Sequence, residues 1–171
     1  AGSPYAIRDY YDIDPDLAEH VDKRMEEFEH LVTRSHECGL KVIMDFVPNH
    51  VARQYHSLAK PAGVKDLGEN DDCSQDFNPQ NNFYYIPGQK LAGEIDLYDP
   101  EQGNYEEMPA KATGNDRFDA WPNRNDWYET IKLNYGVDYL HHTGGHFEPI
   151  PDTWKKMENI LSYWAGKGID G

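Results

Sequence analysis

Apolar residues recur three and four positions apart at Leu17, Val21, Met25, Phe28, Leu31 and Val32, with charged side chains between them. This is the period of an amphipathic helix. Asp14 followed by Pro15 offers an N-cap and a proline for the first helical position, and Gly39 suits the C-terminal cap, so one helix is predicted over about 15–38. After the glycine the pattern changes. Lys41-Val42-Ile43-Met44 shows no alternation, which predicts a strand over 41–47 buried on both faces of a parallel sheet and running into Asp45, Asn49 and His50. Residues 51–150 are rich in Gly, Pro, Asn, Asp and Tyr, with short strand-like pieces at 82–86 and 127–133 and a turn at Pro87-Gly88. About 100 residues of this texture are too long for a plain connection and predict an inserted subdomain or lid. Asp152 and Thr153 then cap a helix over 153–166 whose Trp154, Met157, Ile160, Leu161 and Trp164 share one face, and Gly168-Ile169-Asp170-Gly171 opens a further strand.

Helix, glycine and a non-alternating strand make half of an α/β repeat. In such folds chemistry sits beyond the carboxyl ends of the strands, which is where Asp45, Asn49 and His50 fall.

Charge narrows the partners. Thirty-one acidic against 16 basic residues give a formal charge of -15, which repels phosphates and argues against nucleic acid or an anionic membrane surface. No run approaches the roughly 20 apolar residues of a membrane helix. Cys38 and Cys73 match no metal spacing and read as free thiols or one optional disulfide. The 12 Tyr and 4 Trp, many beside Asn, Asp and Gly, suit a carbohydrate surface, where sugar C–H faces stack on rings and hydroxyls pair with planar polar groups. A Tyr-rich folding surface has the same composition.

The string Asp45-Phe46-Val47-Pro48-Asn49-His50 resembles the first signature of the α-amylase superfamily, a D-x-V-x-N-H motif closing the third strand of a (β/α)8 barrel. Tyr5 to Pro15 resembles that family's Y-x-x-x-D-Y-x-x-I-D-P segment, and Gly168 to Gly171 resembles its G-[IV]-D-G. The resemblance implies an α/β fold, a partial (β/α)8 TIM barrel carrying an inserted irregular, β-containing domain B. Residues 1–50 would be barrel, 51–150 domain B and 151–171 barrel again. It further implies an α-glucan or malto-oligosaccharide substrate, with His50 hydrogen-bonding the sugar, Tyr5 stacking on it, Asp45 bracing the site and Asn49 tying barrel to domain B, in many members through calcium. Thr130-Ile131-Lys132-Leu133-Asn134 is similar to the [QL]-P-D-L-N string of domain B, which makes Asn134 a second structural or metal position, although Lys132 stands where an acid is usual. Chemistry in the family is retaining, with two carboxylates about 5 Å apart, and its carboxylates lie beyond the G-[IV]-D-G string. The chain is therefore expected to be a catalytically silent fragment of an α-amylase, binding substrate without the reacting groups, with truncated barrel faces that self-associate.

Three alternatives stand beside this. A stand-alone sugar-binding module would keep Tyr5 and His50 and never have had the carboxylates; transglycosidases and trehalose-forming members share the same motifs. A metal enzyme would use His50, His56, His141, His142 or His146.

Overall fold

The computed structural model describes residues 3–93, 98–99 and 103–171. Asp14 accepts the Asp16 N–H at 3.0 Å ahead of Pro15, as the cap pattern predicts, but the segment it caps is a single 3-10 turn, Pro15–Leu17. A second such turn, Val21–Lys23, leads into helix α1, Arg24–Glu37. The helix expected over 15–38 is thus corrected to its last part, and the cause is local. The Glu27 carboxylate accepts the N–H groups of Glu19 at 2.9 Å and His20 at 2.8 Å, while Asp12 takes the Arg24 guanidinium in bonds of 2.7 and 2.5 Å. These side chains satisfy a non-helical backbone in competition with the helix ladder. The apolar stripe shortens accordingly: Val32 is buried and Met25 and Phe28 pack on the core, whereas Leu17, Val21 and Leu31 are exposed.

Residues 41–47 are extended but join no ladder, and Ile43 is 79% exposed, which corrects the expectation of a strand buried on both faces. A parallel strand needs neighbours on both sides. Among the described residues only 168–171 lies beside it, through bonds of 2.9 Å from Asp170 N–H to Val42 O and from Met44 N–H to Gly171 O.

The remaining β structure is four antiparallel pairs. β1 (His50–Ala52) pairs with β6 (Thr130–Lys132), β2 (Tyr85–Ile86) with β5 (Ala110–Lys111), β3 (Tyr98–Asp99) with β4 (Gly103–Asn104), and β7 (Val137–Asp138) with β8 (Gly144–Gly145). The pieces expected at 82–86 and 127–133 contain β2 and β6, joined by a bridge between Phe83 and Leu133. Helix α2 spans Asp152–Gly166, close to the predicted range, but its N-cap is Pro151 in place of the cap expected from Asp152 and Thr153, whose side chains instead accept the Asn82 amide. It buries Met157, Ile160 and Trp164 while Trp154 and Leu161 stay half exposed. No closed barrel forms among the described residues, whose sheets are all two-stranded.

One core joins these parts, with Tyr10 and Tyr11 from the N-terminal segment meeting Val51, Ile131, Leu133 and the buried face of α2. Ladders this short leave many backbone groups to be satisfied by side chains. Asp9 accepts Tyr11 N–H, Ser57 Oγ–H and Leu58 N–H at 2.8, 2.6 and 2.9 Å, pinning the first segment to the chain after β1. Buried Asn82 receives Lys156 Nζ at 2.7 Å and donates to Asp152 and Thr153 at 3.1 Å, fastening α2. Arg53, with its side chain 1% exposed, donates to Glu107 Oε1 at 2.6 Å, Tyr128 O at 2.7 Å and Thr130 O at 3.1 Å, which fixes the turn before β6.

Candidate functional site

The turn 45–50 is held from beneath by two phenols, since Tyr10 donates to Val47 O and Tyr135 to Pro48 O, both at 2.6 Å. Burial pushes the Tyr135 phenol up to about 12, so it remains a donor at any ordinary pH. β1 begins at His50, which lies opposite Lys132 of β6. The Asn49 amide nitrogen donates to Gly114 O at 2.8 Å and lies 3.0 Å from His50 Nδ1. With the amide in that orientation Nδ1 accepts, and the neutral ring carries its proton on Nε2. Gly114 closes the other side: a Cβ there would lie 2.9 Å from His50 Cγ and 2.6 Å from Thr130 Oγ1, so only glycine lets the loop approach the imidazole. His50 is 7% exposed, and burial lowers its pKa against the opposing effect of a hydrogen bond with the Tyr5 backbone. The result is an oriented, neutral imidazole of the kind that binds a hydroxyl.

The Tyr5 backbone is brought to His50 by a hydrogen bond, and Tyr5 is 58% exposed. The Trp127 ring meets the imidazole at a centroid distance of 5.5 Å and 61°, and Trp127 is 53% exposed. One open aromatic ring, that of Trp127, thus borders the buried imidazole, and the Tyr5 backbone bonds it. Trp127 was not singled out from the sequence, where it is one of several aromatic residues in an irregular stretch. Asp45 is exposed and makes no hydrogen bond or ion pair among the described residues.

The expected calcium role does not fit the donor set. Lys132 Nζ lies 3.4 Å from Asn49 Oδ1 and 2.5 Å from Asp116 Oδ1, with the lysine side chain 8% exposed. An ammonium already supplies the positive charge at this amide and would repel a second cation. Asn134 is fully buried; its Oδ1 accepts Gly136 N–H and its Nδ2 donates to Asn78 O, both at 2.8 Å, so its amide is engaged in shaping the turn before β7. Asn49 does link the 45–50 turn to the 114–132 region, by hydrogen bonds in place of an ion. The acid-to-lysine departure at Lys132 was the one sequence sign of this arrangement.

The histidines of the metal alternative do not converge. His141 places Nδ1 3.1 Å from Asp138 and Nε2 3.4 Å from Asp76, on opposite sides of its ring, and His146 pairs with Thr143 at 2.8 Å. Among the described residues no three of His, Cys, Asp and Glu form a group able to hold a metal ion. Cys38 and Cys73 are free and exposed.

Residues 2–171 match a family model described as "Alpha amylase, catalytic domain". Maltase A1 of Drosophila melanogaster is 27% identical over 172 residues, covering 98% of this chain and 24% of the relative. The amino acid transporter heavy chain SLC3A1 of Mus musculus is 41% identical over 174 residues, again covering 98% of this chain but 20% of the relative. Alpha-amylase 3 of Dictyoglomus thermophilum is 24% identical, with 98% and 24% covered. Among solved structures, a trehalulose synthase mutant aligns with a TM-score of 0.48 at 16% identity, over 96% of this chain and 24% of that one. The chain therefore spans about a quarter or less of the length of these relatives.

Proposed function

The chain belongs to the alpha-amylase family, within its catalytic domain, and from that premise we propose that it is the substrate-binding part of an α-glucan-active retaining glycoside hydrolase of α-amylase type. The observation that carries this reading is the oriented, neutral His50 imidazole beside the exposed Trp127 ring, with the backbone of exposed Tyr5 hydrogen-bonded to it. His50 hydrogen-bonds a hydroxyl of the bound glucosyl unit, Tyr5 stacks on its C–H face, and residues 51–150 act as domain B, forming the wall over the site. Relatives named maltase and alpha-amylase support a substrate of α-linked glucose. In the parent enzyme a carboxylate attacks the anomeric carbon while a carboxylic acid protonates the leaving oxygen. The residues of this chain bind and orient the sugar, and the chain alone is silent.

Calorimetric titration with maltoheptaose tests the reading. Binding that is lost on His50→Ala is expected, together with no release of reducing ends from starch by the purified chain. Wild-type affinity in the His50→Ala variant would defeat the site assignment, and hydrolysis by the chain would defeat the assignment of the chemistry to residues outside it.

A second reading has one observation behind it, the 41% identity to a transporter heavy chain. On that reading the same surface belongs to an accessory chain of a transport protein, and maltoheptaose would not bind.

A further inference from the structure

Trp127 has a backbone φ of +46°, in the left-handed region that glycine and asparagine enter readily and a bulky aromatic residue does not. The turn is firmly built. Asp126 N–H bonds Asn123 O at 3.0 Å, Thr130 N–H and Oγ1–H both reach Trp127 O at 2.9 and 2.8 Å, and buried Arg53 grips Tyr128 O at 2.7 Å and, through its own N–H, Glu129 O at 2.7 Å. The surroundings therefore impose the conformation, as they must for strain of this kind to persist. Burial does not repay it, because the side chain remains 53% exposed. What the strained turn achieves is to stand an open indole against His50, at a centroid separation comparable to the width of one pyranose ring.

Building on the α-glucan reading above, we infer that Trp127 is a stacking platform for the glucosyl unit adjacent to the one bound by His50, and that it makes the site prefer malto-oligosaccharides over single sugars. The indole offers an apolar face for the sugar C–H groups, and the backbone that carries it is fixed before binding by Arg53 and Thr130. A residue that served only to pack His50 in place would give a different experimental signature.

The test is calorimetric titration of the whole chain with maltoheptaose and with glucose, alongside thermal melts, for wild type, Trp127→Asn, Trp127→Phe and His50→Ala. Asparagine adopts a positive φ without the aromatic penalty, so Trp127→Asn should melt no lower than wild type. It should bind maltoheptaose at least about tenfold more weakly while glucose affinity changes little. Trp127→Phe keeps a flat face and should stay within about threefold. Unchanged maltoheptaose affinity in Trp127→Asn, with binding lost in His50→Ala, would overturn this inference and leave the sugar reading standing. Equal losses for glucose and maltoheptaose together with a lower melting temperature would assign Trp127 a packing role and overturn it too. If the wild-type chain binds neither sugar, the α-glucan reading falls and this inference falls with it.

Discussion

Replacing Arg53 with methionine should be among the most damaging single changes in this chain. Arg53 and Glu107 have side chains only 1% and 3% exposed and meet at 2.6 Å. Methionine preserves much of the volume but leaves Glu107 without its main counter-charge, and it removes the donors to Tyr128 O, Thr130 O and Lys111 O. Breaking a buried pair from one side costs about 3–5 kcal/mol. Lys111 Nζ remains 3.3 Å from Glu107 Oε2 and Tyr105 OH still donates to it at 2.7 Å, so the loss should fall at the lower end, about 3 kcal/mol. Against a total stability of about 5–15 kcal/mol this is a large share, and it should lower the melting temperature by about 6–12 °C for a chain of this size. Urea unfolding monitored by tryptophan fluorescence measures the change directly. Adding Glu107→Gln should restore part of it, about 1 kcal/mol, because the buried charge is then gone. A loss under about 1 kcal/mol at unchanged m-value would show that the pair does not anchor the turn before β6.

Three further outcomes are expected. Because Lys132 holds the place of a cation between Asn49 and Asp116, removal of calcium by a chelator should leave the melting temperature unchanged, and Lys132→Met should cost about 1 kcal/mol; a clear fall with chelator alone would refute the lysine's role. Burial lowers the His50 pKa in the fold, so below the unfolded value of about 6.5 the unfolded chain binds the extra proton first, and stability should fall as pH drops from about 7 through the depressed folded value. Urea midpoints should show this slope in wild type but not in His50→Gln, and a slope that survives the substitution would place the titration elsewhere. Finally, a cavity of about 380 Å³ on α2, lined by Tyr135, Trp154, Met157 and Leu161, leaves apolar surface open, and sedimentation should show self-association that weakens in Leu161→Glu; a monomer at all concentrations would count against it.

Helix α2 was legible in the sequence because its period and its apolar face depend on near neighbours along the chain, although the expected cap was not the one formed. So was the family, through the resemblance of the 45–50 string to a known signature. The cap at Asp14 was also legible, but how far the helix extended was not. The competing bonds from Glu27 and Asp12 span seven to 12 residues, beyond what periodicity registers. Residues 41–47 carry the composition of a buried strand, yet burial is a property of neighbours, and among the described residues only one extended segment lies alongside.

The site divides the same way. Resemblance singled out His50 and Tyr5 from the sequence, and the structure adds the tautomer of His50, its lowered pKa and its glycine backing from residues 49, 114 and 132. Lys132 stood out in the sequence as a departure from a motif, but only tertiary contact turned it into a positive charge at the Asn49 amide. Trp127 carried no signal of its own. A strained dihedral and a ring contact across 77 residues cannot be read from residue identity, because both are imposed by the buried Arg53 and by the pairing of β1 with β6.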